Sequence, residues 1–116
     1  MARLISNKAS YQNKYADSGT NQVTALRKQG NLQQAHQLAM TLYNADRNDE
    51  WVQRALAWVL HDIVKAELST NPNNLNNANH WFNQLLNMRL NDQYINDGIE
   101  RLRVQMSPTH HAVENA

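Results

Sequence analysis

The sequence predicts an all-α protein, an array of about five helices in antiparallel hairpins. Three observations carry this. Gly and Pro are scarce, three and two in 116 residues; an all-β chain needs turn residues every ~8–12 positions. Apolar residues recur at three-and-four spacing through most of the chain. The turn-forming residues fall between those periodic segments.

The first periodic segment is "TNQVTALRKQ", bounded by Gly19 and Gly30. Gly30 is placed as a helix stop, with Arg27 and Lys28 in the last turn complementing the dipole. The segment "NLQQAHQLAMTLYNA" sets Leu32, Ala35, Leu38, Ala39, Leu42 and Tyr43 on one face. "DRND" ends it. Asp49 is the expected N-cap of the next helix, with Glu50 in its first turn. That helix, "EWVQRALAWVLHDIVKAEL", runs to about Leu68. Its predicted inner face is Val52, Ala55, Leu56, Val59, Leu60 and Ile63.

After the loop "STNPNN", Asn71 is the expected cap and Pro72 suits the first turn of a fourth helix. Leu75, Ala78, Trp81, Phe82, Leu85, Leu86 and Met88 then share a face. The fifth helix, "QYINDGIERLRVQM", carries a stripe of Ile95, Ile99, Leu102 and Met106. Gly98 inside it costs up to ~1 kcal/mol against Ala, which points to close packing there. Residues 1–19 are expected as an N-terminal arm or short helix, with Leu4, Ile5, Ala9, Tyr11 and Tyr15 inward over 3–16. Residues 20–106 form the repeat domain and 107–116 a flexible tail.

A shift of 43 residues lays Asn31 on Asn74, Leu32 on Leu75, Ala35 on Ala78 and Leu42 on Leu85. It also lays Asn48 on Asn91, Asp49 on Asp92, Trp51 on Tyr94 and Val52 on Ile95. Leucines match by chance in amphipathic helices. A matching cap and a matching small residue carry more, because both have a mechanical role. Alanine at a crossing lets two backbones approach, and the cap turns the chain back. Stacked hairpins then bury the face that each leaves open.

The unit "KQGNLQQAHQLAMTLYNADRND" resembles a tetratricopeptide repeat, with Gly30 and Asn31 at the turn and Ala35 at the small-residue position. "LNNANHWFNQLLNMRLND" matches it through Leu75, Ala78, Phe82 and Leu85. Ala39 departs from the family's aromatic, and the insertion "LSTNPNN" stretches the period from the family's 34 residues. The resemblance covers about residues 20–106. It implies a protein-binding scaffold whose hairpin first helices line a groove. A shorter stretch, "LRKQGNLQQAHQLA…DEWVQRALAWVL", is similar to helical-repeat segments of some bacterial phage-conflict proteins. That implies the alternative function of a small inhibitor or regulator of a nucleic-acid-processing complex.

Composition bounds the chemistry. The formal net charge is +1 and only 18% of residues are charged, so amides rather than ions carry the polarity. Residues 1–28 hold five cations, Arg3, Lys8, Lys14, Arg27 and Lys28, against Asp17. The near-neutral total argues against a nucleic-acid partner, although Arg101 and Arg103 are placed to touch phosphates. Without cysteine there is no disulfide or thiolate site. No apolar run is long enough for a signal peptide or a membrane span, so a cytoplasmic, soluble chain is expected. The five histidines show no metal-ligand spacing, there is no Gly-rich phosphate loop, and no Ser–His pattern appears. A catalytic residue, a cofactor and a metal are therefore not expected.

The third helix carries the candidate binding face. At about 100° per residue, Trp51, Arg54, Trp58, His61 and Lys65 fall within an arc of about 80°. Aromatic, Arg and Lys together have the composition of a protein-binding hot spot. Tyr94, Asp97 and Arg101 repeat Trp51, Arg54 and Trp58 one hairpin later. Two readings stand: the tryptophans are covered by the chain's own segments, or they dock a partner peptide or helix. Self-association through Ile95, Ile99 and Leu102 of the last helix is a further expectation, since short repeat arrays have open ends.

Overall fold

The computed structural model describes residues 19–106. The expected helix over 3–16 and the tail 107–116 lie outside the described residues. Five α-helices occupy 81% of what is described, with no strand among them. They are α1 (Thr20–Lys28), α2 (Leu32–Ala45), α3 (Glu50–Thr70), α4 (Asn76–Met88) and α5 (Gln93–Met106). The all-α fold class is thus observed, with helices packed against one another. The chain divides into two compact units at Val59/Leu60, inside α3.

In the first unit, α1 and α2 form an antiparallel pair. The Asn31 N–H donates to the Leu26 carbonyl at 2.9 Å and the Gly30 N–H to the Arg27 carbonyl at 3.0 Å. This is a Schellman motif, and it requires the left-handed φ of +85° that Gly30 supplies. The far ends of the pair also touch. A Cβ added to Gly19 would meet Leu42 Cδ1 at 2.9 Å, so the small residue lets the start of α1 seat on the end of α2. Val23 of α1 and Ala35 and Ala39 of α2 are buried. The two alanines are the only side chains of α2 fully enclosed; Leu38, Leu42 and Tyr43 are half-buried.

The turn after α2 is organised by two aspartates. Asp46 Oδ1 accepts from the Asn48 N–H at 3.1 Å, a local turn that competes with further helix. Asp49 Oδ1 then accepts from the N–H groups of Trp51 (2.9 Å) and Val52 (3.4 Å). That satisfies two of the orphan donors at the start of α3. Gln53 Nε2 ties back to the Arg47 carbonyl at 2.7 Å, and Arg47 lies over the Tyr43 ring at 5.1 Å. Val52, Leu56, Ala57 and Val59 of this half of α3 are buried.

In the second unit, the rest of α3 buries Leu60 and Val64. The expected fourth-helix start is corrected. Asn71 does not cap α4: its N–H donates to the Glu67 carbonyl at 2.8 Å, extending the end of α3. Its side chain also reaches Glu67 Oε1, at 3.0 Å. Pro72 lies in the linking turn, and Asn74 Oδ1 receives the Asn76 N–H at 3.1 Å where α4 begins. α4 and α5 run antiparallel, with Phe82 beside Arg103 and the residues near Leu90 beside Ile95. Ala78, Phe82, Leu85, Ile95, Gly98, Ile99 and Leu102 form this unit's core. Gly98 is buried.

The 43-residue correspondence reappears in the pattern of burial. Ala35 and Ala78 are both enclosed, as are Val52 and Ile95, Leu56 and Ile99, and Val59 and Leu102. Asp92 Oδ1 accepts from the Ile95 N–H at 3.0 Å, the same N-cap to N3 bond that Asp49 makes to Val52. Ile95, Ile99 and Leu102 are core, 2%, 8% and 1% exposed. The expectation that they mediate self-association is therefore overturned: the hairpin with α4 already covers that stripe.

Two stability outcomes are expected. Asp49→Ala and Asp92→Ala should each cost about 1 kcal/mol, and Asn at either position should recover most of it; urea unfolding with an unchanged m-value checks this. Arg89 closes α4 with a left-handed φ of +52°, where a side chain is disfavoured. Arg89→Gly should raise stability by about 0.5–1 kcal/mol, seen as a higher thermal midpoint.

Candidate functional site

The first turns of α3 bring together three of the chain's functional types of side chain. The Asp49 cap fixes Glu50 as the first helical residue, so Trp51 projects from the first turn. Trp51 is 46% exposed. One turn on, the Arg54 guanidinium lies over the Trp51 ring, 5.8 Å from its centroid. The Glu50 carboxylate holds the same guanidinium at 3.6 Å, an i,i+4 pair with both side chains substantially exposed. Pairs of this kind stabilise an isolated helix by only about 0.2–0.5 kcal/mol. Their effect here is geometric: Glu50 and Trp51 together restrict where Arg54 can point. Glu50 is the member that the predicted stripe omitted; its spacing to Arg54 was the available signal.

Trp58 lies half-buried on the same helix. Trp51 and Trp58 thus separate into an exposed ring and a partly covered one. Their seven-residue spacing predicts one face, and helix phase does put them there. What differs is the depth of packing along that face.

In the second unit, His61 departs from the open stripe predicted for it. Its side chain is only 12% exposed, and Nδ1 is 2.8 Å from Asp62 Oδ1. The cause is the width of the buried arc. Ala57 and Val64, absent from the predicted inner face, are fully buried, and they stand at i−4 and i+3 to His61. Conversely, Ala55 and Ile63, assigned to the inner face, are only half-buried. Lys65 is exposed.

On α5, Tyr94 is 77% exposed and Arg101 is exposed. Neither Asp97 nor Arg101 has a hydrogen-bond or ion-pair partner among the described residues. Arg103, the other arginine placed for phosphate contact, is engaged. It pairs with Glu100 at 3.3 Å and covers the Phe82 ring at 5.6 Å. A crevice of about 240 Å³ lies between α4 and α5, lined by Leu86, Leu90 and the charged Arg89, Asp97, Glu100 and Arg103 among others.

Among the described residues, no three His, Asp or Glu side chains come together as a metal site. No described helix is long and apolar enough to cross a membrane. His80 packs edge-on against Trp81, 5.2 Å between centroids, and bonds Gln84 at 3.0 Å. Comparison with family models, with curated proteins and with solved structures finds no match.

His36 of α2 has a moved pKa. Partial burial disfavours its charged form and lowers it below the usual 6.5. The unfolded chain therefore binds more protons than the native one as pH falls below about 6.5. Native stability should be full above that pH and decline as pH drops through the lowered native value. Urea midpoints measured across this range should fall toward acid in the wild type and fall less in His36→Gln.

Proposed function

We propose that this chain is a non-enzymatic protein-interaction module that docks a partner peptide or helix on the first turns of α3. The observation that carries the reading is Trp51 with Arg54. A large aromatic is kept nearly half exposed, and a guanidinium oriented by Glu50 is laid over its ring. Trp and Arg are the side chains most enriched where binding energy concentrates. A ring held by its own helix loses little freedom when a partner covers it. The complementary partner presents an apolar side chain to Trp51 and a carboxylate to Arg54. The carboxylate would compete with Glu50, whose pair is exposed and weak.

The tetratricopeptide-like reading belongs to the same proposal. It is supported by the paired Asp49 and Asp92 caps and by the enclosed Ala35 and Ala78. In that arrangement the first helix of a hairpin presents its outer residues to a ligand, as α3 presents Trp51.

Selection of peptides from a random display library provides the test. Selected peptides should bind the wild-type chain and lose about tenfold or more in affinity against Trp51→Ala, and similarly against Arg54→Glu, with helicity unchanged. Affinities indifferent to both substitutions would place the binding surface elsewhere and overturn the assignment.

A further inference from the structure

α5 buries one face completely, and among the described residues nothing pairs with the ions on its outer face. Along that outer face stand Tyr94, Asp97, Arg101 and Val104, spaced by three, four and three residues. This is the spacing of a two-helix seam. Tyr94 is 77% and Val104 51% exposed, the two most exposed large apolar side chains among the described residues. Asp97 and Arg101 are also exposed, Asp97 at the rim of the crevice between α4 and α5. They sit four residues apart, in the favourable order for an acid and a base on one helix. Yet they make no ion pair with each other or with any described group, whereas Glu50–Arg54 and Glu100–Arg103 do pair.

The order of these four residues is self-complementary. Place a second α5 antiparallel to the first, related by a twofold axis level with Ile99. Tyr94 then faces Val104 of the partner subunit, and Asp97 faces Arg101 of the partner subunit. The symmetry generates each contact twice, as an isologous interface must. A parallel copy in register would instead set Asp97 against like charge, and Arg101 likewise. Charge complementarity thus selects both the occupant and its direction.

We propose that the outer face of α5 is a homodimer seam in which two copies of this chain pair antiparallel through Tyr94, Asp97, Arg101 and Val104. The seam uses the face opposite Ile95, Ile99 and Leu102, which remain in each protomer's own core. A helix of 14 residues offers a contact about 21 Å long. That lies at the small end of specific interfaces, so the dimer is weak, with a dissociation constant on the order of 10–100 µM. The proposal is independent of peptide docking on α3.

Sedimentation velocity from about 10 µM to about 1 mM protein tests it, at ionic strength near 0.05 M where screening is limited. The wild type should pass from monomer to dimer across that range. Arg101→Asp sets acid against acid twice, and Asp97→Arg sets base against base twice. Each variant alone should dimerise at least about tenfold more weakly. Both positions are exposed, and unchanged circular dichroism establishes that the variants fold. Mixed in equal amounts, the two variants regain both opposite-charge contacts and should form a heterodimer as tight as the wild-type homodimer. A wild type that stays monomeric at about 1 mM overturns the seam. So does a dimer insensitive to either charge change, or a mixture that fails to associate.

Discussion

The phase of α3 and α5 depends on one kind of hydrogen bond, from an aspartate carboxylate to backbone N–H groups at a helix start. Asp49 and Asp92 each bind the N–H three residues on, at Val52 and Ile95. Fixing the first helical residue fixes the rotation of every later one. With Asp49 as cap, Val52, Leu56 and Val59 turn inward and Trp51 turns outward. With Asp92 as cap, Ile95, Ile99 and Leu102 turn inward and Tyr94 turns outward. A start displaced by one residue would lose the cap and leave backbone donors unsatisfied. The exposed aromatics are in this sense consequences of where the caps stand.

Helix boundaries set by such local chemistry were legible in the sequence. Gly30 supplies a left-handed φ, and the Schellman bonds form around it. Asp49 and Asp92 cap where their residue type predicts. The 43-residue correspondence was legible for the same reason, since it rests on caps and enclosed alanines. Boundaries decided by competition between neighbouring elements were harder. Asn71 and Pro72 have the composition of a helix start, but the Glu67 carbonyl takes the Asn71 N–H first, and α4 begins only at Asn76. Arg89 gave no warning of its left-handed conformation, because nothing in an arginine favours it.

The candidate site divides along the same line. Period alone places Trp51, Arg54, Trp58, His61 and Lys65 on one side of α3, and helix geometry ensures that much. Period does not give the width of the buried arc, which depends on what packs beside the helix. Ala57 and Val64 are too small or too ordinary to mark an extra contact, yet their burial extends cover to the flank of His61. Trp58 is drawn partly under the same kind of cover. The face is therefore exposed at its two ends, at Trp51 beside the cap and at Lys65, and partly covered between them at Trp58 and His61.

A surface dominated by neutral amides gives each ion unusual influence. Long-range fields are weak at a formal net charge of +1, so little steers association in a general way. Specific contacts must then come from a few charges in fixed places. Where a carboxylate lies within reach of an arginine, the pair holds the cation in a set direction, as Glu50 does for Arg54 and Glu100 for Arg103. Arg54 thereby meets the Trp51 ring, and Arg103 meets Phe82. Asp97 and Arg101 are the contrasting case: a matched pair on adjacent turns that stays open. On a charge-rich surface two such side chains would find local partners by number alone. Here sparse charge keeps them available, and their position between Tyr94 and Val104 turns two solvated ions into the centre of a self-complementary face.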